Sequence, residues 1–282
     1  MSNLTINHVS KSFGTTLALH KVNLTFEENK IYGLLGRNGA GKTTLLNIIN
    51  NRIFADEGTV TLDGTLATEN SSVQRKFYYM GEKLLYPDSM KVNKAIKWTK
   101  EFYPSFDTEY ALKLAKAFDL PLKKKINSLT TGDKSIFKNV IALSVNVPFV
   151  FLDEPVLGLD ANHRELFYKV LIEKYIESPA TYVISTHLIE EVANIVENVI
   201  IIKSGQIINN DTKENLLSNG YCISGPGTMV DEYIKGKHVI GIDSLGGLKS
   251  AYLLGTPDEN TDDRLEISGL DLQKLFIRLT NS

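Results

Sequence analysis

A chain with one cysteine cannot build a disulfide framework, and Cys222 stands alone among 282 residues. A reducing compartment is the expected setting. No motif surrounds Cys222, so it reads as a small buried hydrophobe rather than a nucleophile. No run approaches the ~18–20 apolar residues that a membrane-crossing helix needs. Residues 1–8 have neither a basic head nor an apolar signal core. The expected chain is therefore cytoplasmic and soluble, and any membrane process it serves must place the spanning in another subunit. An excess of one charge is missing too: 31 Lys and Arg against 33 Asp and Glu give a net charge of −2. Surfaces that track nucleic-acid phosphates usually show a basic excess, so nucleic acid is not expected as the main partner. There is no internal repeat, no low-complexity segment and no heptad run.

What is present suits one large globular domain with an appendage. Val22–Phe26 alternates with period two, and Ile31–Leu35 is a nearly continuous apolar run, as a strand buried on both faces requires. Lys42–Ile49 reads as a helix, and residues 58–64 as one arm of a hairpin. From about 87 to 145 the pattern is mostly helical. Val92–Phe102 is one candidate helix; Asp107 caps a second, with Ala111, Leu114, Ala115 and Phe118 at helical spacing. Lys123–Lys125 reads as a solvated loop. Strand-like runs return at 149–152, 181–185 and 198–203, with helical stretches between them, which predicts an α/β sheet with parallel strands. After about Asp211 come Gly-rich turns at 225–227 and 246–247, short strand candidates and a final helix near 270–279. This tail reads as a small α+β appendage.

The chemistry is concentrated in a few places. Gly36-Arg37-Asn38-Gly39-Ala40-Gly41-Lys42-Thr43 fits G-x-x-x-x-G-K-[ST] in full, after an apolar strand and before a helix. Glycines let successive backbone N–H groups face phosphate oxygens, and the following helix adds its positive end. Lys42 is placed to reach the β- and γ-phosphates, the Thr43 hydroxyl to ligate Mg²⁺, and Thr44 to add a phosphate contact. A second half of such a site needs an acid at the tip of a buried strand, and Phe149-Val-Phe-Leu-Asp153-Glu154 supplies two. Asp153 would hold Mg²⁺ through water; Glu154 would orient and polarise the attacking water. His187 follows the strand at 181–185, where its N–H would hold the γ-phosphate. The motif alone says nucleotide, without saying which. An Asn-Lys-x-Asp element that would select guanine is not found in a fitting place.

With these residues the chain resembles the ATP-binding-cassette (ABC) ATPases. Val156-Leu-Gly-Leu-Asp160 looks like that family's D-loop, His187 matches its switch histidine, and the order and spacing agree over about residues 2–210. The resemblance implies a P-loop core of mixed β-sheet and helices at 1–210, a helical subdomain at about 87–145, and the α+β appendage at 211–282. It also implies head-to-tail pairing of two cassettes, with each ATP between one copy's phosphate loop and the other's signature. Phe13 aligns with the aromatic that stacks on adenine. Two positions depart from the family pattern. The signature, commonly Leu-Ser-Gly-Gly-Gln, reads Leu129-Thr130-Thr131-Gly132-Asp133. Thr130 keeps a hydroxyl and Gly132 is retained, so γ-phosphate contact remains possible. Thr131 brings a β-branched side chain to a close approach, and Asp133 sets an anion near an anion, offset in part by a helix start. Where a glutamine is common, Tyr78-Tyr-Met-Gly-Glu82 offers Glu82, another oxygen ligand for Mg²⁺.

These departures and the long tail resemble the ATPase subunits of ABC-2-type exporters. The expected function is then ATP binding and hydrolysis coupled to a separate membrane permease at the cytoplasmic face, with a second ATPase chain, identical or different. The competing readings are a non-transport regulatory ATPase, and a soluble ribosome- or DNA-associated cassette. The latter usually carries two cassettes or a coiled-coil insertion, and this chain has neither.

Overall fold

The structure is a computed structural model that describes residues 2–258 and 261–281. Met1 and Ser282, the outer ends of the two expected units, lie outside the described residues. The chain opens with β1 (Asn3–Phe13) and β2 (Thr16–Glu27), a long antiparallel hairpin, and then β3 (Ile31–Leu35), all five of whose residues are buried. The phosphate-loop motif leads into α1 (Lys42–Ile49). Then come β4 (Glu57–Leu62), β5 (Thr65–Leu66), the one-turn helix α2 (Ser71–Gln74) and β6 (Phe77–Met80). A helical stretch follows: α3 (Val92–Phe102), α4 (Thr108–Ala117), a 3-10 turn at Ile126–Ser128, and α5 (Thr131–Ala142). The sheet resumes with β7 (Phe149–Asp153), α6 (Ala161–Glu177), β8 (Thr181–Thr186), α7 (Ile189–Val192), β9 (Asn198–Lys203) and β10 (Gln206–Thr212).

These strands make two sheets. One is six-stranded, in the order β10-β9-β3-β8-β7-β6; its four pairings from β9 to β6 (β9–β3, β3–β8, β8–β7 and β7–β6) are parallel, and β10 joins β9 antiparallel. The other is antiparallel, in the order β2-β1-β4-β5. Together they form the mixed α/β architecture that the resemblance implies for residues 1–210. The apolar alternation of β1 and β2 has a direct use: Leu4, Ile6, Leu24 and Phe26 join Leu34, Phe149, Phe151 and Val183 in one core between the sheets. Phe26, Phe77, Phe149 and Phe151 meet there edge to face, the arrangement that ring quadrupoles favour. The opposite face of the six-stranded sheet packs on α3, α4, α5 and α6.

Beyond β10 run α8 (Lys213–Ser218), β11 (Gly220–Pro226), α9 (Gly227–Tyr233), β12 (His238–Leu245), β13 (Leu248–Leu254), β14 (Glu266–Gly269) and α10 (Leu272–Asn281). The strands form a third sheet, β12-β13-β11-β14, fully antiparallel. Residues 246–247 are the β12–β13 turn, but 225–227 is not a turn. Gly225 and Pro226 end β11, where a missing N–H costs little, and Gly227 begins α9. One face of this sheet keeps a small core of its own around Ile223, Val230 and Leu253. Cys222 of β11, with Leu272, Leu275 and Phe276 of α10, joins the main core instead, so Cys222 is the buried hydrophobe its surroundings suggested.

Candidate functional site

The site is assembled where β3, β7 and β8 end side by side. Between β3 and α1 the loop is clamped from two sides. A Cβ on Gly36 would come 2.7 Å from the Ile202 carbonyl oxygen. One on Gly41, whose φ is +110°, would come 2.7 Å from that of Ala18. Both positions therefore need glycine, one for space and one for space and conformation. Lys42, first residue of α1, is only 6% exposed and folds under the loop it closes. Its Nζ donates to the carbonyls of Gly36 at 2.6 Å and Arg37 at 3.3 Å. Burial lowers its pKa, and the carboxylates of Glu154 and Asp153 oppose that shift. Arg37, Asn38, Gly39 and Ala40 line the outer side of the loop, and Arg37 Nη1 donates to Asn281 Oδ1 of α10 at 3.1 Å. Thr44 is half-buried on the first turn of α1.

Parallel register sets Asp153 of β7 opposite Ser185 of β8. Asp153 is buried and takes three hydroxyl donors. Thr43 Oγ1 reaches Oδ2 at 2.8 Å, the Tyr79 hydroxyl reaches the same oxygen at 3.0 Å, and Ser185 Oγ reaches Oδ1 at 2.9 Å. Burial, then the adjoining carboxylate, pushes the Tyr79 phenol well above its usual range, so it stays a donor. Arg52 lies 4.4 Å over the Tyr79 ring.

Glu154 leaves the strand with φ +49°, a left-handed conformation that costs a non-glycine residue on the order of 1–3 kcal/mol. It is held by its own N–H, which donates to the Ser185 carbonyl at 2.8 Å, and by two side-chain contacts. Thr186 Oγ1 donates to Oε2 at 3.0 Å, and His187 Nδ1 lies 2.8 Å from Oε1. Thr186 Oγ1 also accepts from the Leu188 N–H at 3.0 Å, which fixes the turn that presents His187. Thr43, Asp153, Glu154, Glu82, Thr131 and Lys138 line one cleft of about 650 Å³. The metal-binding set read from the sequence, Thr43, Asp153 and Glu82, thus shares a cleft. Thr43 and Asp153 touch directly, an all-oxygen donor set that suits Mg²⁺.

Phe13, at the end of β1, is 51% exposed and is not a core phenylalanine; Lys11 Nζ lies 5.6 Å from its ring centre. Thr130, Gly132 and Asp160 are not among the residues that line the cleft with Thr43 and Asp153, although Thr131 is. Thr130 is the exposed N-cap of α5. Its Oγ1 accepts from the Asp133 N–H at 3.1 Å, while Asp133 Oδ2 accepts from the Thr130 N–H at 3.3 Å. This capping box gives the Asp133 carboxylate one N–H donor at a helix N-terminus, which offsets the anionic cost expected there. Asp160 caps α6 and contacts His163 at 2.9 Å. Tyr79, Thr186 and Lys138 were not singled out from the sequence. The polar ends of the two apolar runs at 149–153 and 181–186 hinted at the Asp153–Ser185 pairing; nothing in the tyrosine-rich run 78–79 distinguished Tyr79.

A glycine-rich phosphate loop after β3 and an acid-tipped strand, β7, one strand removed from it on a mainly parallel sheet define a P-loop nucleotide hydrolase. The ABC transporter family model matches residues 19–157. The chain is 30% identical over 204 residues to the ABC transporter ATP-binding protein YtrB of Bacillus subtilis (strain 168), covering 72% of this chain and 70% of YtrB. It is 28% identical to the tungstate uptake system ATP-binding protein TupC of Peptoclostridium acidaminophilum, over 72% of this chain and 96% of TupC. In fold it matches a dimeric bacterial ABC transporter cassette with a TM-score of 0.67 at 23% identity, over 74% of this chain and 98% of the other. The chain belongs to the ABC transporter ATP-binding family. It is an ATPase that works with ATP and Mg²⁺. Cassettes of this family pair, and serve transporters together with membrane permease subunits. Among the described residues, no helix is long and apolar enough to cross a membrane.

Proposed function

We propose that this chain is the ATP-hydrolysing subunit of a multi-subunit exporter, acting at the cytoplasmic face on a separate membrane permease. The observation that carries the catalytic part is Glu154, held in a strained conformation at the tip of β7 and bonded to Thr186 and His187. In this reading Glu154 orients the attacking water and accepts its proton. His187, fixed against Glu154 through one ring nitrogen, offers the other to the γ-phosphate. Lys42 exchanges its loop carbonyls for the more strongly accepting β- and γ-phosphate oxygens. Thr43 and Asp153 would hold Mg²⁺, with Glu82 beside them. When bound, the ion supplies charge neutralisation across the β- and γ-phosphates. Phe13 offers an exposed ring face to adenine.

Coupling to a partner is supported by a second cavity, of about 310 Å³, behind the nucleotide cleft. Leu85, Trp98 and Phe102 on its rim are 70%, 37% and 58% exposed, an apolar surface of the kind that other chains cover. The exposed, self-capped Thr130–Asp133 segment supports pairing, in which Thr130, Gly132 and Asp160 would complete the site of a second chain. Export is read from Glu82, the departures at 129–133 and the sheet after residue 210, which resemble ABC-2-type subunits.

Mass in solution tests the pairing. Glu154→Gln with Mg²⁺ and ATP should double in mass by light scattering if Thr131 and Asp133 permit a homodimer. A monomer that nevertheless binds ATP would assign the second half-site to a different chain. Direction is tested by reconstituting the chain with its permease in vesicles, where accumulation on the ATPase side would refute export.

A further inference from the structure

Helix α5 turns three polar side chains toward the site, at the i, i+3, i+4 spacing that puts them on one face: Ser135, Lys138 and Asn139. Ser135 Oγ donates to the Leu157 carbonyl at 2.7 Å, and Asn139 Nδ2 to that of Pro155 at 2.9 Å. Lys138 reaches the other way. Its Nζ donates to the carbonyls of Gly81 at 3.2 Å and Glu82 at 3.4 Å. The helix that carries the Thr130–Asp133 cap is therefore bonded to the loop after Glu154 and to the turn after β6.

Lys138 also lines both cavities, the nucleotide cleft on one side and the aromatic groove on the other. A wall between two cavities needs only an apolar side chain, so a half-buried ammonium here requires a reason. Burial lowers its pKa, and the nearby carboxylates of Asp153 and Glu82 oppose that. Its donors grip the turn that presents Glu82.

We propose that Lys138 is a positioning residue that holds the Gly81–Glu82 turn against the cleft and transmits nucleotide binding to the aromatic groove. This rests on the reading of the cleft as the ATP site. A ligand that draws in Glu82 moves the carbonyls bonded to Lys138. The displacement passes to Tyr86 and Trp98, because Tyr86 packs at 5.1 Å on Phe137, the neighbour of Lys138, and at 6.2 Å on Trp98. Removing the ammonium should leave nucleotide binding in place and disconnect the groove.

Trp98 is the one tryptophan of the chain and lies in the groove, so its emission reports the connection without a label. The full chain, Lys138→Met and Lys138→Arg would each be titrated with Mg²⁺-ATP, with binding measured separately by equilibrium dialysis of labelled ATP. The expected result is an emission shift in the native chain, its reduction by about fivefold or more in Lys138→Met at unchanged ATP affinity, and its recovery in Lys138→Arg. An equal shift in Lys138→Met, or none in the native chain, would overturn the proposal. Should Lys138→Met fail to fold, hydrogen exchange of the 81–86 amides in the native chain decides: slowing on Mg²⁺-ATP supports the link, and no change refutes it. Failure of the catalytic reading would look different, as normal turnover by Glu154→Gln with the Trp98 response intact.

Discussion

At the phosphate-loop end of the cleft, Asp153 takes three hydroxyl donors while 7% exposed, and Glu154 and Lys42 are each held by contacts within the chain. At the Thr130–Asp133 end the polar groups satisfy only one another, and Thr130 faces solvent. One region is preorganised by a single chain, with its groups held in place before any ligand arrives. The other is preorganised as a surface. A capped helix end keeps its hydroxyl and N–H groups ordered at a fixed place, where a second molecule can use them. The contrast explains how the departures at 129–133 are accommodated. A buried network with every donor matched tolerates no substitution cheaply, whereas an exposed cap accepts Thr for Ser and Asp for Gln so long as the helix terminus stays satisfied.

The largest effect expected is at Glu154. Replacing it with Gln keeps the size and one acceptor but removes the base, so phosphate release should fall about 10²- to 10⁴-fold while ATP binding persists. Normal turnover would break the assignment of the closed half. Next, His187→Ala should slow single-turnover hydrolysis by about 10- to 100-fold, since a donor to developing charge is lost and Glu154 loses a partner; an unaltered rate would remove His187 from the reaction. Phe13→Ala should raise the dissociation constant for ATP by a factor corresponding to about 1 kcal/mol, leaving the hydrolysis step unchanged, as measured by calorimetry. The smallest effect belongs to the open half. Thr130→Ala should cost about 1 kcal/mol in urea unfolding through the lost cap, with no change in ATP binding by the isolated chain. It should nonetheless impair ATP-driven pairing of Glu154→Gln. Loss of ATP binding by the single chain would erase the distinction between the two halves.

Much of this arrangement is legible in the residues. The apolar runs 31–35 and 149–152 mark strands buried on both faces, as a covered parallel sheet accepts such continuous hydrophobicity. Asp107 announces α4 as its cap, and its side chain does accept from the Tyr110 N–H. The turn expected at 225–227 shows the limit: Gly-Pro-Gly serves a strand end and a helix start equally well, and only the pairing of β11 with β13 decides between them. Tyr79 lay outside sequence reasoning for a similar reason. Its hydroxyl reaches Asp153 because β6 and β7 run in parallel register, a relation between residues 74 positions apart.

By itself the sequence determined the class of chemistry. A loop so near neighbouring carbonyls that an added Cβ would come within 2.7 Å of them demands glycines at fixed spacing, and a strand buried up to its terminal carboxylates is apolar before them. Those are local requirements, written in consecutive residues. Tertiary structure decided which groups meet: Ser185 and Tyr79 on Asp153, His187 on Glu154, Lys138 on the Gly81–Glu82 turn, and Asn281 of the last helix on Arg37 of the phosphate loop. Such contacts depend on strand order and helix packing, which sum many weak and nonlocal terms, and no short motif records that sum.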